Sequence, residues 1–195
     1  YREFIKEEII INNKGEVLSE GEVLTDSSAF NIDVLFQARD KTLSEEDKKY
    51  PLFRASKIDS VNGQKQNYFI VPMAGKGLWG PVWGFVSLKS DYNTVFGAVF
   101  DHKAETPGLG AEINTDDFEK QFIDMMICDV QNNFEFISIN VVKGAKEEDS
   151  KHEVQGITGG TITSDGVSNM LKNTLEIYNK YFETIRDTVE LAKLN

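Results

Sequence analysis

One cysteine, two histidines, four prolines and no long apolar run mark what this 195-residue chain does without. A lone Cys128 excludes an internal disulfide and an all-cysteine metal site. It follows the apolar stretch FIDMMIC, which suits a small buried residue. A catalytic cysteine needs a histidine partner, and only His102 and His152 are present. Positive charge is short as well: 21 Lys and Arg against 32 Asp and Glu leave a net charge of −11. Phosphate backbones need clustered cations, so nucleic-acid binding is excluded, whereas a ligand with one phosphate needs only local donors. No apolar stretch is long enough to cross a bilayer, and no signal-peptide pattern opens the sequence. Neither a Gly-x-Ser-x-Gly elbow nor a Lys-Ser/Thr pair after glycines occurs, and neither histidine has a triad context. A serine hydrolase and a Walker loop are thereby set aside.

What is present is globular material. The chain is 40% hydrophobic, with thirteen phenylalanines and two tryptophans. No internal repeat or linker divides it, so residues 1–195 are expected to form a single domain. EEIIINNKGEVL predicts a strand, a turn and a second strand. LSEEDKKYPLFRA predicts a short helix capped by Ser44 and ended by Pro51. VNGQKQNYFIVPM reads as a turn and a strand. VWGFVSLK and TVFGAVFDHK read as neighbouring antiparallel strands joined at Ser90–Asn93. NTDDFEKQFIDMMI predicts a helix capped by Asn114 or Thr115, with Phe118, Phe122, Met125 and Met126 on one face. FEFISINVV alternates like a strand, and KGAKEEDSKHE is a charged, exposed loop. A last helix is expected from near Asp165, burying Val167, Met170, Leu171, Leu175, Tyr178, Phe182, Ile185 and Val189. Consecutive strands with helices grouped around them indicate an α+β fold, mostly antiparallel sheet with packed helices.

Hydroxyls and glycines crowd one place, TGGTITSDGV at Thr158–Val167. Thr163 or Ser164 is the expected cap of the last helix, which leaves Thr161 with a hydroxyl the helix does not require. Gly159 and Gly160 remove bulk beside it, and N–H groups at a helix start favour negative charge. Together these describe a seat for a phosphate. The same spacing also describes an ordinary glycine turn leading into a capped helix. Two further stretches, GKGLWGPVWG (Gly75–Gly84) and ETPGLG (Glu105–Gly110), set small residues beside Trp79, Trp83 and Leu109. Open backbone beside apolar side chains suits a flat aromatic ligand.

GKGLWGPVWG, GAVFDHKAETPGLGAEI and QGITGGTITSDGV, in this order, resemble the family of C subunits of the sodium-translocating NADH:quinone oxidoreductases. The similarity runs from about Tyr50 onward. The related G subunits of Rnf complexes share an ETPGLG-like stretch and a flavin-bearing threonine, but typically lack the GKGLW form.

The resemblance implies FMN joined by a phosphoester bond to the threonine of a motif D-x-x-S/T-G-A-T. That motif falls on residues 155–161 and puts the attachment on Thr161. Gln155 stands where the family usually has Asp, and Gly160 where it usually has Ala. The resemblance further implies that Gly159, Gly160 and the N–H groups near Thr163 and Ser164 hold the phosphate. Leu78, Trp79, Thr106, Gly108 and Leu109 are implied to face the flavin, with Lys76, Lys103 or Lys172 offsetting charge. Glu105 is expected to pin the turn that follows it through backbone N–H groups, and His102 is expected to be structural. Implied also are a periplasmic position behind an N-terminal membrane helix, a relay of single electrons between other subunits of a membrane respiratory complex, and a separate flavin transferase.

Overall fold

Ile9 and Ile11 alternate on one face of a strand and are buried in the main core, while Ile5, beyond a bulge before Glu7, packs with Phe53 and Ala55 in a smaller second cluster. The computed structural model describes residues 3–21, 29–58, 63–144 and 146–193. This strand, β1 (Ile5–Ile11), turns at Asn12–Gly15 into β2 (Val17–Gly21), as expected. Asn12 Oδ1 accepts from the N–H groups of Lys14 and Glu16 and holds that turn. With β3 (Tyr50–Ile58), β4 (Lys65–Lys76), β5 (Pro81–Leu88) and β6 (Val95–His102), the strands form a six-stranded sheet in the order β2-β1-β3-β4-β5-β6. Every neighbouring pair is antiparallel. The α+β expectation is met.

A single long helix, α3 (Thr161–Lys193), covers one face of this sheet. Its stripe of Val167, Met170, Leu171, Leu175, Tyr178 and Phe182 is buried against Phe69, Val71, Met73, Val82, Val86 and Leu88. Ile185 is half-buried, and the Val189 side chain and the expected turn at Val61–Asn62 lie outside the described residues. Full burial of one such side chain contributes about 1.5–3 kcal/mol, so this stripe is what fixes the helix to the sheet. Aromatic rings continue the seam: Tyr92 lies 4.6 Å from Phe69 and 5.3 Å from Phe182. Asn93 ends the β5–β6 connection and is buried. Its Oδ1 accepts from the N–H groups of Ile127 and Cys128, and its Nδ2 donates to the Cys128 carbonyl.

Three expectations of secondary structure fail, the last two because tertiary hydrogen bonds win. Residues 44–49 form turns, not a helix: Ser44 bonds to Asp47, and Pro51 lies inside β3. That segment has no apolar stripe to bury. The helix in this region is α1 (Val34–Arg39), capped by Asp33, whose Oδ1 accepts from Phe36 N–H at 2.8 Å. The helix expected over 114–127 shrinks to α2 (Asp116–Glu119) and a 3-10 turn at Lys120–Phe122. Beyond it the chain pairs with the free edge of β6: Val95 N–H donates to the Met125 carbonyl, and Asp124 N–H donates to the Val95 carbonyl. Thr115 is the cap position but makes no side-chain cap bond. Phe118, Phe122 and Met125 are buried as expected, whereas Met126 is half-buried and Cys128 sits on strand β7 (Cys128–Asp129). Finally, FEFISINVV breaks into β8 (Glu135–Phe136) and β9 (Asn140–Val142) around Ser138, at φ 74°. The N–H groups of Ile137 and Ser138 both turn to the Ile127 carbonyl.

Candidate cofactor site

The site begins where the chain leaves β10 (Glu153–Gln155), which pairs in parallel with β9, and enters α3. Gly156 N–H still bonds to the Val142 carbonyl, and Gly160 N–H closes a turn onto the Ile157 carbonyl. Gly159 lies at φ +74°, a conformation that favours glycine, and a Cβ there would stand 2.6 Å from Leu109 Cδ2. The Gly160 carbonyl then accepts from Ser164 N–H at 2.9 Å, so helical bonding starts at Gly160 and Thr161 is the first helical residue.

This corrects the expected start near Asp165 and the expected caps. Thr163 and Ser164 lie inside the first turn and face inward: Thr163 Oγ1 donates to Glu105, and Ser164 Oγ accepts from Ile157 N–H. The Ser164 N–H is committed to Gly160, so it does not face a ligand as expected. The groups without an intrahelical acceptor are the N–H groups of Thr161, Ile162 and Thr163, at the positive end of the helix. Thr161 itself is exposed.

Glu105 joins the other two glycine-rich stretches to this turn. The residue is 4% exposed. Oε1 accepts from Trp79 N–H at 2.9 Å, and Oε2 accepts from Thr163 Oγ1 at 2.5 Å. Its own N–H donates to His102 Nδ1, which makes His102 a structural residue as expected. Glu105 therefore pins the β4–β5 turn, closed by a Gly77 N–H to Gly80 carbonyl bond, and not the turn that follows it. That following turn holds itself: the Thr106 carbonyl accepts from Leu109 and Ala111, and Glu112 Oε1 accepts from Gly108 N–H.

Two cavities flank Thr161. One, of about 220 Å³, is walled by Leu78, Thr106 and Leu109 on one side and by Gly159–Thr163 on the other, with Glu105 and Gly110 at its base. The other, of about 230 Å³, lies between Lys143, Gln155, Ile157, Thr158 and Asp165. Gly159 and Thr161 border both. The rim is apolar and open: Leu78 is 44% exposed, Leu109 41%, Ile162 57% and the adjacent Trp79 65%. So many exposed apolar side chains around one hydroxyl mark a place that something covers.

Of the expected residues, Leu78, Thr106, Leu109, Gly159, Gly160, Thr161 and Thr163 share the first cavity. Ser164 borders the second, while Trp79 and Gly108 border neither. Lys76, Lys103 and Lys172 border neither cavity; among the described residues, the cation that lines a cavity together with Thr161 is Lys143, from the strand end after β9. Nothing in the sequence near Lys143 announced this. Ile162 and Gly110 were missed although they lie inside the quoted motifs. Cys128 is buried, with Sγ donating to Asn179 Oδ1, and burial lifts its thiol to about 11. His152 Nδ1 is taken by the Met126 carbonyl. A larger cleft of about 840 Å³, between α1, β4 and α3, shares no residue with either cavity.

The FMN-binding domain family matches this chain over residues 77–176, a span that contains the Leu78 turn, Glu105–Gly110 and Thr161. The chain is 33% identical over 175 residues to the C subunit of the Na(+)-translocating NADH-quinone reductase of Vibrio campbellii, covering 86% of this chain and 65% of that protein. It is 36% identical over 110 residues to the corresponding C subunit of Pseudomonas aeruginosa, covering 55% of this chain and 41% of that one. It thus spans under two thirds of the length of these relatives. The crystal structure of the C subunit from Parabacteroides distasonis superposes with a TM-score of 0.73 at 41% identity, covering 93% of this chain and 79% of that chain. NqrC of Shewanella oneidensis, at 23% identity and a TM-score of 0.69 over 93% of this chain and 85% of that chain, shares the fold. A flavin-binding family, an antiparallel sheet and an open threonine at a helix start thus converge, and the chain belongs to the FMN-binding domain family, among the C subunits of the Na(+)-translocating NADH-quinone reductases.

Proposed function

We propose that this chain is the FMN-carrying domain of a sodium-pumping NADH:quinone reductase, with the flavin joined through its phosphate to Thr161. One observation carries the reading. The exposed Thr161 hydroxyl stands between two cavities on the first turn of a long helix, ringed by exposed Leu78, Leu109 and Ile162.

The residues present fit FMN. Free N–H groups and the positive end of α3 suit a phosphate, and the apolar rim suits the faces of a flat ring. Gly159 and Gly160 keep the approach open, and Lys143 offsets phosphate charge. Thr161 is the anchor, while Leu78, Thr106 and Leu109, which line the first cavity, border the ring. Bound there, FMN supplies one-electron redox chemistry that no side chain of this chain offers. Attachment forms one bond from Thr161 Oγ1 to phosphorus and breaks one P–O bond of an activated flavin phosphoanhydride. The second phosphate leaves, and the hydroxyl proton passes to a separate flavin transferase.

In this reading residues 1–195 work as one domain on the periplasmic side of the bacterial inner membrane, behind an N-terminal anchoring helix. The domain passes single electrons between other subunits and has no substrate site of its own. That the relatives named above are C subunits supports this over an Rnf-type G subunit. Gln155 favours one alternative, a non-covalent FMN binder or assembly scaffold, because it departs from the attachment motif.

Intact mass of the chain expressed with and without a flavin transferase, followed by peptide mapping, tests the proposal. The expected result is an FMN phosphoester on the peptide holding Thr161, absent from Thr161→Val. A transferase active on a control substrate that leaves this chain unmodified rules out the covalent relay and leaves the non-covalent binder.

A further inference from the structure

Glu105 is a buried carboxylate, and among the described residues no Lys, Arg or His nitrogen lies within 4.0 Å of it. A buried charge is costly unless something offsets it. Here the offset comes from the Trp79 N–H, the Thr163 hydroxyl and the positive end of α3. The two hydrogen bonds reach opposite walls of the same cavity: Trp79 follows Leu78 on the β4–β5 turn, and Thr163 lies two residues after Thr161.

The surrounding glycines are shaped to this carboxylate. A Cβ on Gly77 would stand 2.6 Å from Glu105 Oε1, and one on Gly110 would stand 2.3 Å from Thr163 Oγ1 and 2.8 Å from Glu105 Oε2. Real Cβ atoms essentially never approach so closely. Gly77 and Gly110 come from two separate stretches, and each gives up a side chain where the hydrogen-bonded Glu105–Thr163 pair sits.

We infer that Glu105 is a positioning residue for cofactor attachment: it ties the Leu78–Trp79 turn to the first turn of α3 and so holds the wall of the flavin cavity in register with the Thr161 hydroxyl. This rests on the FMN reading above. Glutamine has the same shape and can serve: its amide oxygen accepts from Trp79 N–H, and its Nε2 donates to Thr163 Oγ1. Alanine removes both ties. Thr163→Val removes only one.

The test compares the wild-type chain with Glu105→Gln, Glu105→Ala and Thr163→Val, each checked for folding by circular dichroism. Two quantities are read before and during modification: hydrogen exchange of the Trp79 amide in the unmodified chain, and the rate of FMN incorporation at Thr161 by a flavin transferase. A third, the visible circular dichroism of the attached flavin, is read afterwards. In Glu105→Ala the Trp79 amide exchanges faster by about tenfold or more, as does any amide released from a buried charged acceptor. Flavin incorporation slows by a similar factor, about tenfold, and the flavin dichroism weakens. Glu105→Gln stays near wild type in all three, and Thr163→Val falls between. A folded Glu105→Ala chain with wild-type incorporation and wild-type flavin dichroism overturns the inference. Should Glu105→Ala not fold, wild-type values in Thr163→Val overturn it equally. A wild-type chain that takes up no flavin fails differently: it defeats the FMN reading, and the inference falls with it.

Discussion

The phenol of Tyr178 donates a 2.7 Å hydrogen bond to the carbonyl of Pro51, joining residues 127 positions apart. Tyr178 is fully buried in the middle of α3, and Pro51 lies near the start of β3. Strand β3 pairs with β4 only from Phe53 onward, so at Pro51 the ladder has a partner on one side, β1. A proline is tolerated there because no bond from its nitrogen is required on the open side. The bond thus closes the sheet onto the helix where the ladder is incomplete.

Tyr178→Phe keeps the ring and deletes this bond, leaving a buried carbonyl without its partner. The expected loss is about 1–3 kcal/mol of stability. Urea unfolding checks it, with a lower midpoint at unchanged slope. An unchanged midpoint means that water replaces the phenol.

Alkali should destabilise the fold. Burial lifts the Cys128 thiol from 9.0 to about 11. Burial, with the charge of Glu45 second, lifts the Tyr50 phenol from 10.0 to about 12, and burial lifts Tyr181 from 10.0 to about 12 as well. Each group holds its proton more tightly folded than unfolded. Its contribution is therefore complete below the unfolded value and is lost as pH rises through the folded value. The urea midpoint should fall steadily from about pH 9 to about pH 12, and Cys128 should resist alkylation at about pH 8 until the chain is unfolded. A flat midpoint across that range contradicts the burial described for these groups.

Gly159→Ala tests the turn ahead of Thr161. At φ +74° an alanine costs about 1–2 kcal/mol, and its Cβ pushes against Leu109. Thermal or urea unfolding should show that loss. The shifted Leu109 should also lower flavin incorporation, so a variant that loses stability but incorporates flavin normally would separate the turn from the site.

Gln155→Asp restores the residue usual in the attachment motif. The Gln155 backbone is held by the Gln121 side chain through both its N–H and its carbonyl, and its own side chain is exposed on the second cavity. The substitution should therefore leave unfolding unchanged and speed FMN incorporation by a transferase. Equal rates, measured by intact mass, mean the transferase does not read this position.

Most of the sheet was legible because strands announce themselves by local alternation. Ile9 and Ile11, Phe69 to Met73, and Val82 to Leu88 alternate or run apolar, and the turns between several of them carry glycine or asparagine. The long stripe on α3 was legible for the same reason, since a period of 3.6 is a local property. Thr161 was legible as a spare hydroxyl because capping chemistry is counted over only a few residues, although the count placed the helix start four residues late.

What only the tertiary structure decided depends on partners far along the chain. The helix expected over 114–127 stops because the open edge of β6 captures its backbone, and no local pattern reports a sheet edge. Thr163 points inward because a carboxylate 58 positions earlier waits for it, and Lys143 reaches the Thr161 cavity only through the parallel pairing of β9 with β10. Residue types and their spacing were enough to determine the class of fold and the threonine that stands free. The site itself, two cavities sharing that threonine and a buried carboxylate tying their wall to the helix, exists only after burial and long-range hydrogen bonding have brought three separate stretches together.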